Sequence, residues 1–291
     1  MATLANRPFV KMNGLGNEIV VLDLRADPVM VPPQEARALA RPEALPFDQI
    51  MALYPPKRAG TDAFVRIINA DGSEAGACGN GTRCIALYES VRTGRDHLVF
   101  ESPAGLLDCR MVPDGITADM GAPRFGWQEI PLAHAVAHTD AVDLTLENLS
   151  SPALANVGNP HATFFVDEAE AVDLARLGPL LERHELFPDR ANIGIARLLA
   201  PDHIRLDVWE RGAGLTRACG SAACAAAVNA MRTGRSPRAD NRPVRVSLPG
   251  GDLFIVWRAA DDHILMTGPA ETEFEGVLAP DMLGLASGTP A

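Results

Sequence analysis

The chain has 291 residues, 47% of them hydrophobic, with a mean hydropathy of +0.03. That is globular composition with enough apolar material for a core; it excludes disorder and collagen-like repeats, and at ~150 residues per domain it predicts two domains. A formal net charge of −11 would be repelled by nucleic acid and by anionic membrane surfaces, so neither is expected as a partner.

In chain order, PPQEARALAR (32–41) predicts a peripheral helix and FVRIINA (64–70) a strand. Ala77-Cys78-Gly79-Asn80-Gly81 then opens TRCIALYESVR, a run of good helix formers closed at Arg92-Thr93-Gly94-Arg95. LLDCRMV (106–112) and ITADM (116–120) read as strands, followed by a turn signal at Gly121–Pro123. HATFFVD (161–167) predicts a strand and DLARLGPLLERHE (173–185) a helix with apolar residues at helical spacing. IRLDVW (204–209) is strand-like. Ala218-Cys219-Gly220-Ser221-Ala222 opens a second Ala-rich helix, which stops at Arg232-Thr233-Gly234-Arg235. VRVSL (244–248) and DLFIVW (252–257) close the series as strands.

Two of these stretches are copies. The A-C-G cores lie 141 residues apart, and each leads into a helix ended by R-T-G-R. Gly16-Asn17 and Gly158-Asn159, Pro103 and Pro249, and Met120-Gly121 and Thr267-Gly268 repeat in the same order at offsets of 142, 146 and 147. Ordered matches at a nearly constant offset indicate duplication. The expected fold is α+β, with two pseudo-symmetric domains, each mostly strands around one strong helix. The domains are expected at residues 1–122 and 123–268, with the tail 269–291 packing back on the first.

Each duplicated cysteine stands just ahead of a helix N-terminus. That position carries partial positive charge and outward amides, which favour a thiolate and can hold a carboxylate. Here the amides are those of Gly79, Asn80, Gly220 and Ser221. Two such thiols on opposite faces of one carbon would invert it, one removing a proton and the other delivering one. Cys84, Cys224 and Cys109 read as small buried hydrophobes. The spacings Cys78-x5-Cys84 and Cys219-x4-Cys224 do not suit zinc, and there is no C-x2-C redox pair. Lys11 and Lys57 are the only lysines, so a pyridoxal enzyme would have to use one of them. No cofactor and no metal are expected. Five cysteines make no disulfide scaffold, no apolar run reaches ~18 residues, and MATLANRPFVKMNG lacks the pattern of a signal peptide. A soluble cytoplasmic protein is expected.

At these residues the chain resembles the diaminopimelate epimerase family. The resemblance runs through KMNGLGNEIVVLD (11–23), INADGSEAGACGNGTRC (68–84), GNPHATFFV (158–166), RANIGIA (190–196), ERGAGLTRACGSAACAA (210–226) and LPGGDLFIVW (248–257). It implies a β-barrel-like sheet around a central helix in each half, with the substrate between the halves. It implies cofactor-independent conversion of L,L-diaminopimelate to the meso isomer in lysine and peptidoglycan precursor synthesis. Cys78 and Cys219 would be the two bases, with Glu210 and His161 assisting. Asn17, Asn69, Asn159, Asn192, Glu210 and Arg211 would bind the substrate, together with Gly79, Asn80, Gly220 and Ser221. A homodimer is possible. A departure is expected within 54–65, where Ala63 stands in place of a glutamine that many members have.

Two other readings use the same residues. A proline or hydroxyproline epimerase would share the thiol pair, but its substrate has no second amino-acid end for Arg211 and the asparagines. A thiol hydrolase would use one cysteine with His161 and Asn159, which leaves the second thiol unexplained.

Overall fold

The computed structural model describes residues 4–76 and 78–284. Ala77 and residues 285–291 of the tail lie outside the described residues. The chain divides into two compact units, one running to Ala118 and resuming at Pro269, the other Asp119–Gly268.

The first unit begins with a hairpin, β1 (Pro8–Gly14) and β2 (Asn17–Asp23). Leu15 and Gly16 turn it with φ of +64° and +84°, a left-handed pair for which glycine is suited. The helix α1 (Pro33–Leu39) crosses to β3 (Gln49–Tyr54), parallel to β2. Antiparallel β4 (Ala63–Asn69) and the short β5 (Glu74–Ala75) follow. Helix α2 (Gly79–Thr93) then leads to β6 (His97–Ser102), parallel to β4, and to the antiparallel β7 (Gly105–Val112) and β8 (Gly115–Asp119).

The second unit adds a two-stranded ribbon, β9 (Thr145–Leu146) and β10 (Leu149–Ser150), and then repeats the plan. β11 (Ala153–Asn156) and β12 (Pro160–Phe165) are antiparallel; α3 (Leu174–Glu182) crosses to β13 (Asn192–Ala200), parallel to β12. β14 (His203–Glu210) and β15 (Gly214–Thr216) pair antiparallel, and α4 (Gly220–Arg232) leads to β16 (Val244–Leu248), parallel to β14. β17 (Gly251–Trp257) and β18 (Ile264–Gly268) close the unit, and β19 (Glu271–Val277) returns to pair with β1. Strand for strand, the sense of pairing is the same in both units. The duplication read in the sequence is therefore a duplication of topology.

In each unit one helix is surrounded by strands. α2 packs on β1, β2, β6, β7 and β19, while α4 packs on β11 to β14 and β16 to β18. The run of alanines in α4 is fully buried, because small side chains let strands approach from all round. Gly94 caps α2 at φ +69° and donates its N–H to the Ser90 carbonyl, as the closing R-T-G-R predicts. Apolar clusters complete each unit. Leu39 of α1 joins Val20, Leu22, Ile50 and Leu278, and Leu177 and Leu181 of α3 join Phe164, Ile193 and Ile195. Each such side chain contributes roughly 1.5–3 kcal/mol on burial. Among the described residues no helix is long and apolar enough to cross a membrane.

Candidate active site

In the first unit Cys78 is the N-cap of α2. Its backbone is extended (φ −148°), and its Sγ accepts the Gly81 N–H at 3.2 Å. The thiol donates to Asn17 Oδ1, 3.6 Å away. Asp48 fixes which way the Asn17 amide points, since Oδ2 accepts both Asn17 Nδ2 and Glu18 N at 2.8 Å. The Asn17 oxygen is thereby left for the sulfur. Gly79 and Asn80 are the first two residues of α2, where helix geometry directs amides out of the helix end. The side chain of Asn80 accepts from the wholly buried Arg83 at 2.9 Å, and Arg83 also donates to the Pro269 carbonyl at 3.1 Å.

Asn69 ends β4 in a turn. Its Nδ2 donates to Ser73 Oγ at 3.0 Å and its Oδ1 accepts Gln49 Nε2 at 3.0 Å. One hydrogen and one lone pair remain on that amide. Gln49 brings something further: its Oε1 is buried and has no hydrogen-bond partner among the described residues. An orphan acceptor of this kind costs about 1–3 kcal/mol, which a ligand's N–H would relieve. Ala63, expected to stand where many members have a glutamine, is wholly buried in β4 opposite Phe100; Asp48 and Gln49, at the entry to β3, hydrogen-bond Asn17 and Asn69. The polar Asp48-Gln49 pair at the head of the apolar run IMALY was the available signal.

In the second unit Cys219 caps α4 at 5% exposure, with its Sγ 3.4 Å from Ser221 Oγ. Burial pushes this thiol well above the ordinary range, and the Glu210 carboxylate pushes it further; the Ser221 hydroxyl pulls weakly the other way. The helix end alone would predict a lowered thiol, so at Cys219 desolvation outweighs it. Glu210, at the end of β14, is itself held by the Thr216 hydroxyl at 2.5 Å.

His161 is 2% exposed, and its Nε2 lies 2.8 Å from Asn159 Oδ1. Oxygen accepts, so Nε2 carries the hydrogen. Burial, with a smaller push from Arg211, lowers the imidazole to about 3, so it is neutral at physiological pH. Asn192 is engaged at both ends of its amide, donating to the Pro160 carbonyl at 2.9 Å and accepting the Arg211 backbone N–H at 3.0 Å. The exposed Arg211 guanidinium donates one hydrogen to the Asp189 carbonyl at 3.0 Å, which leaves others to grip a carboxylate. Cys84, Cys109 and Cys224 are buried, Cys84 being raised by burial to about 12. Among the described residues no three His, Cys, Asp or Glu side chains are grouped to hold a metal.

The sequence model of the family described as diaminopimelate epimerase matches residues 9–126 and 153–273. A protein of that name from Rhodopseudomonas palustris strain BisA53 is 54% identical over 294 residues, covering 99% of this chain and 100% of that one. Another from Afipia carboxidovorans is 54% identical over 289 residues, covering 97% and 98%. Among solved structures, a hydroxyproline epimerase from Agrobacterium vitis superposes with a TM-score of 0.67 at 17% identity, covering 97% of this chain and 94% of that one. A predicted epimerase from Pseudomonas aeruginosa gives 0.65 at 19%, covering 94% and 99%. At such identities these two speak for the fold alone. The family match and the close relatives together show that the chain belongs to the diaminopimelate epimerase family.

Proposed function

We propose that this protein interconverts L,L- and meso-diaminopimelate by inverting one α-carbon, a step toward lysine and peptidoglycan precursors. The relatives of that name, similar over nearly the whole chain, support the substrate. The observation that carries the chemistry is a thiol at the N-cap of the equivalent helix in both units. One thiolate takes the α-proton as the C–H bond breaks, and the electron pair stays on carbon beside the carboxylate. The other thiol delivers its proton to the opposite face. Burial and Glu210 keep Cys219 protonated, which suits it to donate, with Cys78 as acceptor.

The amides of Gly79, Asn80, Gly220 and Ser221 hold the carboxylate of the reacting carbon and stabilise the charge that develops on it. Arg211 grips the remote carboxylate. Asn17, Asn69 and Asn159 supply amide contacts for the substrate's polar ends, and Gln49 adds its orphan oxygen as an ammonium acceptor. Neutral His161 orients Asn159, and Asn192 contributes by holding Arg211. A proline-type substrate would leave Arg211 and these amides without a partner. We also propose a homodimer, built on the exposed strand β19 with its apolar Phe274 and Val277; sedimentation at the mass of one chain would contradict it.

Lys11 is buried in ion pairs with Glu18 and Glu273, and Lys57 lies 3.2 Å over the Phe64 ring. Full turnover of diaminopimelate is therefore expected after treatment with chelator and with borohydride. Loss of activity that metal or pyridoxal phosphate restores would overturn the reading.

A further inference from the structure

Glu182 ends α3 at 3% exposure. A carboxylate this deep is costly unless its oxygens are occupied, and both are. Oε2 accepts the Trp209 indole N–H at 2.7 Å, and Oε1 accepts the Gly212 backbone N–H at 3.1 Å. The Arg190 guanidinium stands 3.5 Å from Oε1.

These donors come from two separate segments. Trp209 and Gly212 are the residues on either side of Glu210–Arg211, where β14 gives way to its turn. Arg190 lies two residues before Asn192, with φ at +59°, a left-handed conformation that an arginine holds only when its surroundings impose it. The segments also meet directly, since Asp189 and Asn192 both accept hydrogens from Arg211. α3 is pressed onto Trp209, because a Cβ at Gly178 would lie 2.5 Å from the indole ring. That close approach brings the carboxylate one turn later to the indole N–H.

We propose that Glu182 is a positioning residue: it fixes Glu210, Arg211 and Asn192 relative to one another by tying both segments to one buried carboxylate. It touches no substrate itself. The inference rests on the reading of those three residues as groups that handle or position the substrate.

The test is a double-mutant cycle of Glu182→Gln and Arg211→Ala, with KM, kcat and thermal melting measured for all four proteins. Glutamine keeps the shape but replaces one acceptor oxygen with a donor, so either the indole or Gly212 loses its partner. KM for diaminopimelate should rise about 10-fold, with a smaller fall in kcat. The rise should be less than multiplicative when combined with Arg211→Ala, because both changes disturb one grip. A merely structural role would lower the melting temperature, leave KM unchanged and multiply through the cycle; that result overturns the proposal. If Glu182→Gln does not fold, Trp209→Phe removes the indole N–H together with part of the ring, and its melting temperature reports the packing lost. A KM rise of a few-fold then supports the proposal, and an unchanged KM overturns it. Wild-type protein inactive on diaminopimelate would overturn the reading of the site and this inference with it, whereas active wild type with an unaffected variant overturns the inference alone.

Discussion

Cys78→Ala and Cys219→Ala should each lower epimerase turnover by at least about 10²–10⁴-fold, the contribution of a positioned general acid or base. In the proposed mechanism each face of the α-carbon has one proton carrier, so neither thiol can substitute for the other. The double variant should be little worse than either single one, since residues that act as a unit are not additive. Folding should survive. Cys78→Ala removes the cap on Gly81 N–H, at a cost of about 0.5–2 kcal/mol, and Cys219→Ala removes one buried sulfur. Cys84→Ala and Cys224→Ala are the controls, because both side chains are wholly buried in their helices. They should lose stability while each folded molecule keeps its turnover. If these two are as inactive as the first pair, the division of thiols into catalytic and structural is wrong.

Arg211→Ala should raise KM for diaminopimelate by one to two decades. A charge-assisted hydrogen bond is worth about 1.5–3 kcal/mol, and the exposed guanidinium has hydrogens beyond the one given to the Asp189 carbonyl. A smaller fall in kcat should accompany it, because the remote end of the substrate aligns the reacting carbon. Steady-state kinetics on the folded variant decide the matter. Unchanged KM and kcat would leave Arg211 as a brace between two turns and nothing more.

Much of this was legible in the sequence because it is periodic or repeated. The A-C-G and R-T-G-R copies located both helices and both N-cap thiols, and alternation located β4, β7, β12, β14, β16 and β17. What escaped has no local pattern. Asp48 and Gln49 act on Asn17 and Asn69 across strand pairs, and the sequence near 54–65 drew attention to Ala63 instead. Glu182 reads as the end of an amphipathic helix; its hydrogen bonds to Trp209 and Gly212 arise only when α3 packs on β14. The thiol of Cys219 shows the same limit. A helix start is visible in one dimension, but burial and the Glu210 carboxylate that overrule it are consequences of packing.

Two thiols serving opposite faces of one carbon should mark that carbon with solvent deuterium. The measurement is L,L-diaminopimelate incubated with the protein in D2O, stopped early and analysed for α-deuterium in each stereoisomer. The donor thiol exchanges with solvent, whereas the proton taken by the other thiol returns to the face it left. The meso product should therefore carry solvent deuterium at the inverted carbon while recovered L,L substrate is still largely protiated. Equal early deuteration of substrate and product, or product that keeps its original proton, would contradict the two-thiol account.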